Sequence, residues 1–231
     1  METHVLEFFS LFIFVYFLGY FIVFRKWSPT TRPLASSCLI SLFHGTPAAI
    51  LAAAAVISAA NRSFAAANTK FQNLVLDYSA AYFAADLLHL AAFSSSSGGG
   101  GATFALHHAA TLFVILTCRH VAAHGAVAVL SLLALAEATS ALQNAWTLAR
   151  GSMRHALSAP FYGVYSVVRG LFGPYVVFRV TVFYARGGAE GVIATWVWVS
   201  WVVVVSMAIV GSILWVSNLW IELYRERLRK D

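Results

Sequence analysis

The stretch GATFALHHAATLFVILTC, residues 101–118, carries two adjacent histidines, His107 and His108, inside an otherwise apolar segment. A polar group buried in hydrocarbon without a hydrogen-bond partner costs about 2–7 kcal/mol, depending on the reference state. Both rings therefore need polar partners, or must face protein or water instead of lipid. Adjacent residues on a helix point about 100° apart. One imidazole can thus face a cavity as general base or nucleophile while a neighbouring helix holds the other.

Further polar residues form single stripes on the neighbouring apolar segments, because residues three or four apart share one face of a helix. Ionisable groups inside membrane segments usually face the interior of the bundle and mark functional sites. The stripes predict a polar chamber in which two carboxylates meet arginines or histidines. Their members are Ser37, Ser41 and His44; Tyr78, Tyr82, Asp86 and His89; Thr111 after the histidine pair; Glu137, Ser140 and Asn144; and Tyr165, Arg169 and, past a Gly-Pro break, Arg179.

A purely structural role is the alternative for each of these residues. Hydrogen bonds between membrane helices also act as packing contacts, and they average only about 0.6 kcal/mol. For the histidine pair with Asp86 we favour a functional role over a structural one.

The same residues do not form a recognisable metal motif. Helical metal-binding pairs are spaced i, i+3 or i, i+4, whereas His107 and His108 are adjacent, and the sequence contains neither HExxH nor CxxC. We therefore predict no metal and no cofactor. A neutral imidazole oriented by Asp86 or Glu137 could instead support acyl transfer to a lipid amine or alcohol, with acyl-CoA as a substrate in that case only.

The composition determines which elements must hold these residues. Of 231 residues, 60% are hydrophobic and 10% are charged, against about 25% charged residues in soluble domains. Crossing a bilayer takes about 20 helical residues, and the chain has seven apolar segments of roughly that length. The fold class is therefore all-α, a polytopic transmembrane bundle. The predicted spans are 5–24, 36–60, 74–93, 102–118, 122–148, 160–185 (interrupted by GLFGP) and 192–217, with SSSSGGGG, residues 94–101, as a flexible linker.

Basic residues predict the orientation of the chain. With the N-terminus outside the cytosol, nine basic residues lie on cytosolic segments (Arg25, Lys26, Arg32, Arg150, Arg154, Arg225, Arg227, Arg229 and Lys230) and four on the opposite side (Arg62, Lys70, Arg119 and Arg186). The positive-inside rule favours this orientation, with the C-terminus cytosolic. Because basic residues flank apolar segments, the net charge of +6 indicates membrane anchoring and no nucleic-acid partner.

An ordered set of short motifs resembles the TLC domain family (TRAM, LAG1 and CLN8 homology). The motifs are SLFHG, DYSAAYFAADLLH, LHHAATLFVIL, LALAEATSALQNAWTL and YVVFRV, and the small plant members are the most similar. The resemblance implies a barrel of helices around a lipid-accessible cavity in a membrane of the endoplasmic reticulum type. It divides the chain into a first transmembrane anchor and loop (1–35), a TLC-like domain (36–220) and a basic C-terminal tail (221–231).

The resemblance also bears on whether the histidine pair acts in catalysis. In the ceramide synthase branch, which joins an acyl-CoA to a sphingoid base, a motif begins with a histidine pair and ends with aspartates on the next helix. His107 and His108 match its start, but Glu137 is the only acid where the aspartates should lie. This pattern resembles the branches linked to membrane lipid composition, lipid sensing or lipid transport.

These observations support three hypotheses about function. The first is a role in membrane lipid homeostasis, with lipid or acyl chains bound in an intramembrane cavity. The second is a ceramide-synthase-like N-acyltransferase that uses His107 or His108, and the third is a non-catalytic lipid transporter or cargo-handling protein. Membrane lipids are the expected partners. The expected cavity residues are His44, Tyr82, Asp86, Glu137, Asn144, Arg169 and Arg179, together with His107 and His108.

Overall fold

The computed structural model describes residues 3–93 and 100–228 of the chain, and within them it is helical throughout its long segments. Three short π-helical turns, Gly19–Val23, Thr117–Ala122 and Val168–Phe172, extend or join the α-helices. The α-helices are α1 (Val5–Leu18), α2 (Arg32–Ile57), α3 (Lys70–Phe93), α4 (Gly100–Leu116), α5 (Ala126–Glu137), α6 (Ser140–Leu148), α7 (Gly151–Val167), α8 (Gly173–Ala185) and α9 (Thr195–Leu228).

Six helical segments are long and apolar enough to cross a membrane: Val5–Val23, Arg32–Ile57, Gly101–Ala122, Ala126–Leu148, Gly151–Ala185 and Thr195–Leu228. The remaining predicted span, the third (74–93), corresponds to α3, which has 24 residues and is about 36 Å long at 1.5 Å per residue. Asp77, Asp86 and several hydroxyl side chains make α3 more polar than the other six. It can carry them because most of its residues are buried against α1, α2 and α4. The predicted all-α, multi-pass fold class is confirmed.

Several predicted boundaries were wrong. The fifth span is broken at Ala138–Thr139 into α5 and α6. The sixth begins at Gly151 instead of 160, and its GLFGP motif does not end the helix: a π turn continues into α8, whose second residue is Pro174. The seventh continues to Leu228, so residues 221–228 are helical. Residues 94–99 of the expected linker and 229–231 of the expected tail lie outside the described residues.

The order of the helices separates the connections onto two faces. The start of α1, residues 58–69, residues 123–125 and residues 186–194 lie on the first face, and residues 24–31 and 149–150 lie on the second. On the first face Asn68 joins two connections: its Nδ2 donates to the Cys118 carbonyl at 3.0 Å, and its Oδ1 accepts from the Ala126 backbone N–H at 2.9 Å. Asn68 thereby satisfies one of the free N–H groups at the start of α5.

A glycine allows α2 to pack closely against the junction of α5 and α6. A Cβ atom at Gly45 would lie 2.6 Å from the Cβ of Ser140 and 2.9 Å from Oε2 of Glu137. Real Cβ atoms do not approach other atoms this closely, so a larger residue would push α2 away. This contact holds the middle of α2, which carries His44, beside Glu137.

Replacing Gly45 with alanine should therefore lower the stability of the fold. We expect Gly45→Ala to reduce the free energy of unfolding by about 1–3 kcal/mol, the usual cost of overpacking a tight core. Thermal unfolding of the purified protein in detergent measures the change. Gly163→Ala on α7 is the matched control, because nothing lies within 4 Å of its added Cβ, and it should leave the transition temperature unchanged or slightly raised. Equal stability of the two variants would contradict this packing.

Candidate functional site

A buried carboxylate–imidazole contact joins α3 to α4. Oδ2 of Asp86 lies 3.0 Å from Nε2 of His108, and both side chains are almost fully buried. The other oxygen of Asp86 accepts a hydrogen bond from Ser37 of α2 at 2.7 Å. One carboxyl group therefore links three helices, which is how a buried charged group is accommodated in a membrane.

The partners of His108 determine where its protons lie. Its Nδ1 is 2.9 Å from the carbonyl oxygen of Phe104, and a carbonyl can only accept, so Nδ1 carries a hydrogen. The Nε2 to Oδ2 contact then holds one further proton, shared between the ring and the carboxylate. Both ring nitrogens and both carboxyl oxygens are thus occupied, and neither group is free to exchange protons with a ligand.

A second histidine lies in the same buried core. His44 of α2 is fully buried and stacks on Tyr82 of α3, with ring centroids 4.0 Å apart and ring planes 7° apart. Its Nε2 lies 3.2 Å from Oγ of Ser79, and its Nδ1 lies 3.9 Å from Oε2 of Glu137. The second distance is too long for a hydrogen bond, but it places the Glu137 carboxylate between this core and the neighbouring cavity.

The cavity, of about 90 Å³, lies between α4, α5, α8 and α9 and is partly open. Most of its wall is aliphatic. Its polar lining groups are His107 and Thr111 of α4, Glu137 of α5 and Arg169 of the π turn Val168–Phe172. The cavity is therefore an apolar chamber with a small polar patch.

The two adjacent histidines thus occupy different environments. His108 is held by Asp86 behind the cavity, while His107 lies on the cavity wall, with ring centroids 5.7 Å apart and ring planes at 83°. Within residues 3–93 and 100–228, the His107 ring has no side-chain or backbone hydrogen-bond partner. The ring that reaches the cavity is consequently not oriented by a carboxylate.

The remaining predicted residues take separate positions. His44, Tyr82, Asp86 and His108 form the buried core described above, and His107, Glu137 and Arg169 line the cavity. Asn144 of α6 donates to Oγ of Ser41 on α2 at 2.9 Å and so contributes to helix packing. Arg179 is exposed on the outer surface of α8, where its Nη1 donates to the Tyr175 hydroxyl at 2.8 Å.

A π turn explains why Arg179 does not join the cavity. Ten residues in a regular α-helix turn through about 1000°, which would put Arg179 within about 80° of Arg169. The turn Val168–Phe172 contains about one extra residue and rotates the downstream residues of the helix by about a further 100°. Arg179 therefore points to the opposite side of the helix.

The sequence patterns did not predict one buried ion pair, between Arg119 and Asp77. Nε of Arg119 lies 2.9 Å from Oδ1 of Asp77, and both side chains are nearly inaccessible. Oδ2 of Asp77 also accepts the backbone N–H of His4 at 3.2 Å. Asp77 is nine residues before Asp86 and thus on the opposite face of α3, outside the polar stripe. The signal that could have found it is the carboxylate itself, since an unpaired one is rare inside an apolar segment.

The fold and the site define a class: a multi-pass α-helical membrane protein with a sealed polar core beside an intramembrane cavity. The TLC domain matches residues 35–221 of the chain. A TLC domain-containing protein from Arabidopsis thaliana is 55% identical over 232 aligned positions, which cover 95% of this chain and 89% of that protein. No solved structure matches the chain. The chain belongs to the TLC domain family, whose members are membrane proteins with generally lipid-related roles.

Loss of the Asp86 carboxylate should destabilise the helix bundle. Removing one partner of a buried charged pair costs about 3–5 kcal/mol. We expect Asp86→Ala to fall in this range because His108 and Ser37 would lose their common hydrogen-bond partner. Unfolding by denaturant in mixed micelles measures the change. Asp86→Asn should cost less, because its amide can still hydrogen-bond both partners.

The matched control is Glu7→Ala. Glu7 contacts His4 at the same distance, 3.0 Å, but both side chains are substantially exposed, and such surface pairs contribute at most about 1 kcal/mol. If Asp86→Ala were no more destabilising than Glu7→Ala, the carboxylate–imidazole contact would not be a structural centre of the fold.

Proposed function

We propose that this protein binds part of a lipid acyl chain in the cavity between α4, α5, α8 and α9, and thereby acts in membrane lipid homeostasis. The observation that carries the proposal is the cavity itself, an apolar chamber within the membrane-spanning helices that ends at a small polar patch. Ligand sites are typically apolar concavities with a few placed polar groups. An acyl chain matches the apolar part of this lining.

The size of the cavity limits what it can hold. A site for a single water molecule takes about 10–15 Å³. A cavity of about 90 Å³ therefore accepts roughly six to nine water-sized groups. A methylene group is of similar size. The cavity therefore accommodates a short length of one acyl chain and not a complete two-chain lipid, whose remainder would lie in the surrounding bilayer.

Localisation to the endoplasmic reticulum, with a non-cytosolic N-terminus, is part of the proposal. The second face of the fold carries Arg25, Lys26, Arg32, Arg150, Arg154, Arg225 and Arg227, and the first face carries fewer basic residues. The positive-inside rule supports a cytosolic position for the second face. Accessibility of a single added cysteine on each face, in intact and permeabilised membranes, tests the orientation.

The acyltransferase hypothesis has weaker support from the geometry. A general base needs orientation and access together. His108 is oriented by Asp86 but sealed, whereas His107 reaches the cavity without an orienting carboxylate. A carrier or regulator requires only that lipid enter the cavity, so we favour a non-catalytic role.

Filling the cavity should remove the bound lipid. Ala208 lines the cavity on α9, and Ala208→Phe puts a ring into the space that the acyl chain would occupy. We expect native mass spectrometry of the purified wild-type protein to show co-purifying lipid, and the variant to lose most of it. Val210→Phe is the matched control, because Val210 lies two positions away and faces outward with 56% of its surface exposed.

Two outcomes would change the proposal. Equal lipid content in wild type and Ala208→Phe would show that the cavity is not the binding site. Incubation with acyl-CoA tests the transferase hypothesis on the same samples: a covalent acyl adduct or an amide product that disappears in His107→Ala would make the protein an acyltransferase.

A further inference from the structure

We infer that Arg169 binds the carboxylate of a single-chain lipid, a free fatty acid, whose chain next to the carboxylate lies in the cavity. The inference rests on the proposed function, because it names the chemical class of lipid that the same site takes. Four features of the structure carry it: the partners of the guanidinium, the lack of a carboxylate in direct contact with it among the described residues, its depth and the size of the cavity.

The guanidinium of Arg169 is only partly satisfied by the protein. Its Nη2 donates to the carbonyl of Ala136 at 3.1 Å, and its Cζ atom lies 5.3 Å from the centre of the Tyr165 ring. Its Nε is buried and has no acceptor among the described residues. An arginine has five N–H donors and keeps its charge at every physiological pH, so donors remain available for a ligand.

The positive charge of Arg169 interacts with the Glu137 carboxylate only at longer range. In the part of the chain that the structure describes, no carboxylate lies within 4.0 Å of its nitrogens. Glu137 shares the cavity wall, but its carboxylate turns toward α2: Oε2 lies 3.9 Å from Nδ1 of His44 and 2.9 Å from where a Cβ on Gly45 would be. Charges in membrane segments are usually paired. The guanidinium is therefore available to pair with the anion of a ligand.

The depth of Arg169 restricts where that anion comes from. Arg169 lies near the middle of the 35-residue helical segment Gly151–Ala185, about 25 Å from either end at 1.5 Å per residue. The phosphate of a bilayer lipid lies at the membrane surface, about 15 Å or more from the centre of the hydrocarbon. A fatty acid carries its charge directly on its single chain and has no bulky headgroup to be held at the surface.

The chemistry of the wall favours a carboxylate over a phosphate. A guanidinium and a carboxylate form two parallel charge-assisted hydrogen bonds in one plane. The cavity of about 90 Å³ leaves little room for a phosphate headgroup in addition to a chain. His107, on the same wall, adds a further hydrogen-bonding group for a carboxylate oxygen.

Equilibrium binding of radiolabelled oleate and of its uncharged methyl ester tests the inference with the full-length protein in detergent, at a pH where oleate is ionised. We expect the wild-type protein to bind oleate at least about tenfold more tightly than methyl oleate, as a hydrogen-bonded charge contact implies. Arg169→Gln should remove this preference by weakening oleate alone, and Arg169→Lys should restore part of it. Because the comparison of the two ligands uses wild-type protein, it remains decisive even if a variant fails to fold.

Arg179→Gln is the matched control. This substitution removes an arginine of α8 that is exposed and directed away from the cavity. The variant should therefore prefer oleate over methyl oleate to the same extent as the wild-type protein. Loss of the preference in Arg179→Gln, or its persistence in a folded Arg169→Gln, would overturn the assignment to Arg169.

The outcomes also separate this inference from the proposed function. Binding of both ligands with equal affinity, abolished by Ala208→Phe, would leave the acyl-chain site intact and refute the carboxylate contact. Tighter binding of lysophosphatidic acid than of oleate would show that the anion is a phosphate and refute the fatty acid. Absence of binding by either oleate or its ester would refute both proposals.

Discussion

The contact between Asp86 and His108 is the interaction on which the arrangement of the site depends. It satisfies a carboxylate and an imidazole that hydrocarbon would otherwise penalise, and Ser37 extends it to α2. It also sets the rotation of α4. Because adjacent helical residues point about 100° apart, fixing His108 toward α3 turns His107 to the cavity. Asp86 thus holds His108 in place, while His107 faces the cavity.

The interior is divided into two regions with different physical character. On one side, His44, Tyr82, Asp86 and His108 form a dense core in which stacking and hydrogen bonds occupy most polar groups. On the other, aliphatic side chains surround a cavity whose polar patch includes the His107 ring, which has no hydrogen-bond partner among the described residues, and the Arg169 guanidinium, which donates to one backbone carbonyl. Glu137 lies at the boundary between them. A polar core of hydrogen-bonded and stacked side chains beside an apolar cavity is compatible with the proposed binding of an acyl chain.

The sequence was sufficient for the fold class and for much of the polar core. Regular spacing on α2 and α3 predicted which residues share a face, because each of these segments is a single continuous α-helix. The same reasoning failed where the helix is irregular: the π turn that carries Arg169 rotates Arg179 outward. Spacing also could not reveal the pair of Asp77 and Arg119, whose members lie on different helices and outside the stripes. Which polar residues line a cavity depends on tertiary packing. The spacing of residues along the sequence carries no information about that packing.

The contact between the backbone of His4 and Asp77 has a consequence for how the protein is made. Asp77 also binds Arg119, which leaves the ribosome 42 residues after Asp77. At about 5–20 residues per second, the Asp77 carboxylate therefore exists for roughly 2–8 s before its ion-pair partner is made. During that time α1 can already pack on α2 and α3, its main neighbours, and the backbone N–H of His4 can stabilise the carboxylate. The first helix synthesised can thus take its position before the second half of the chain is made.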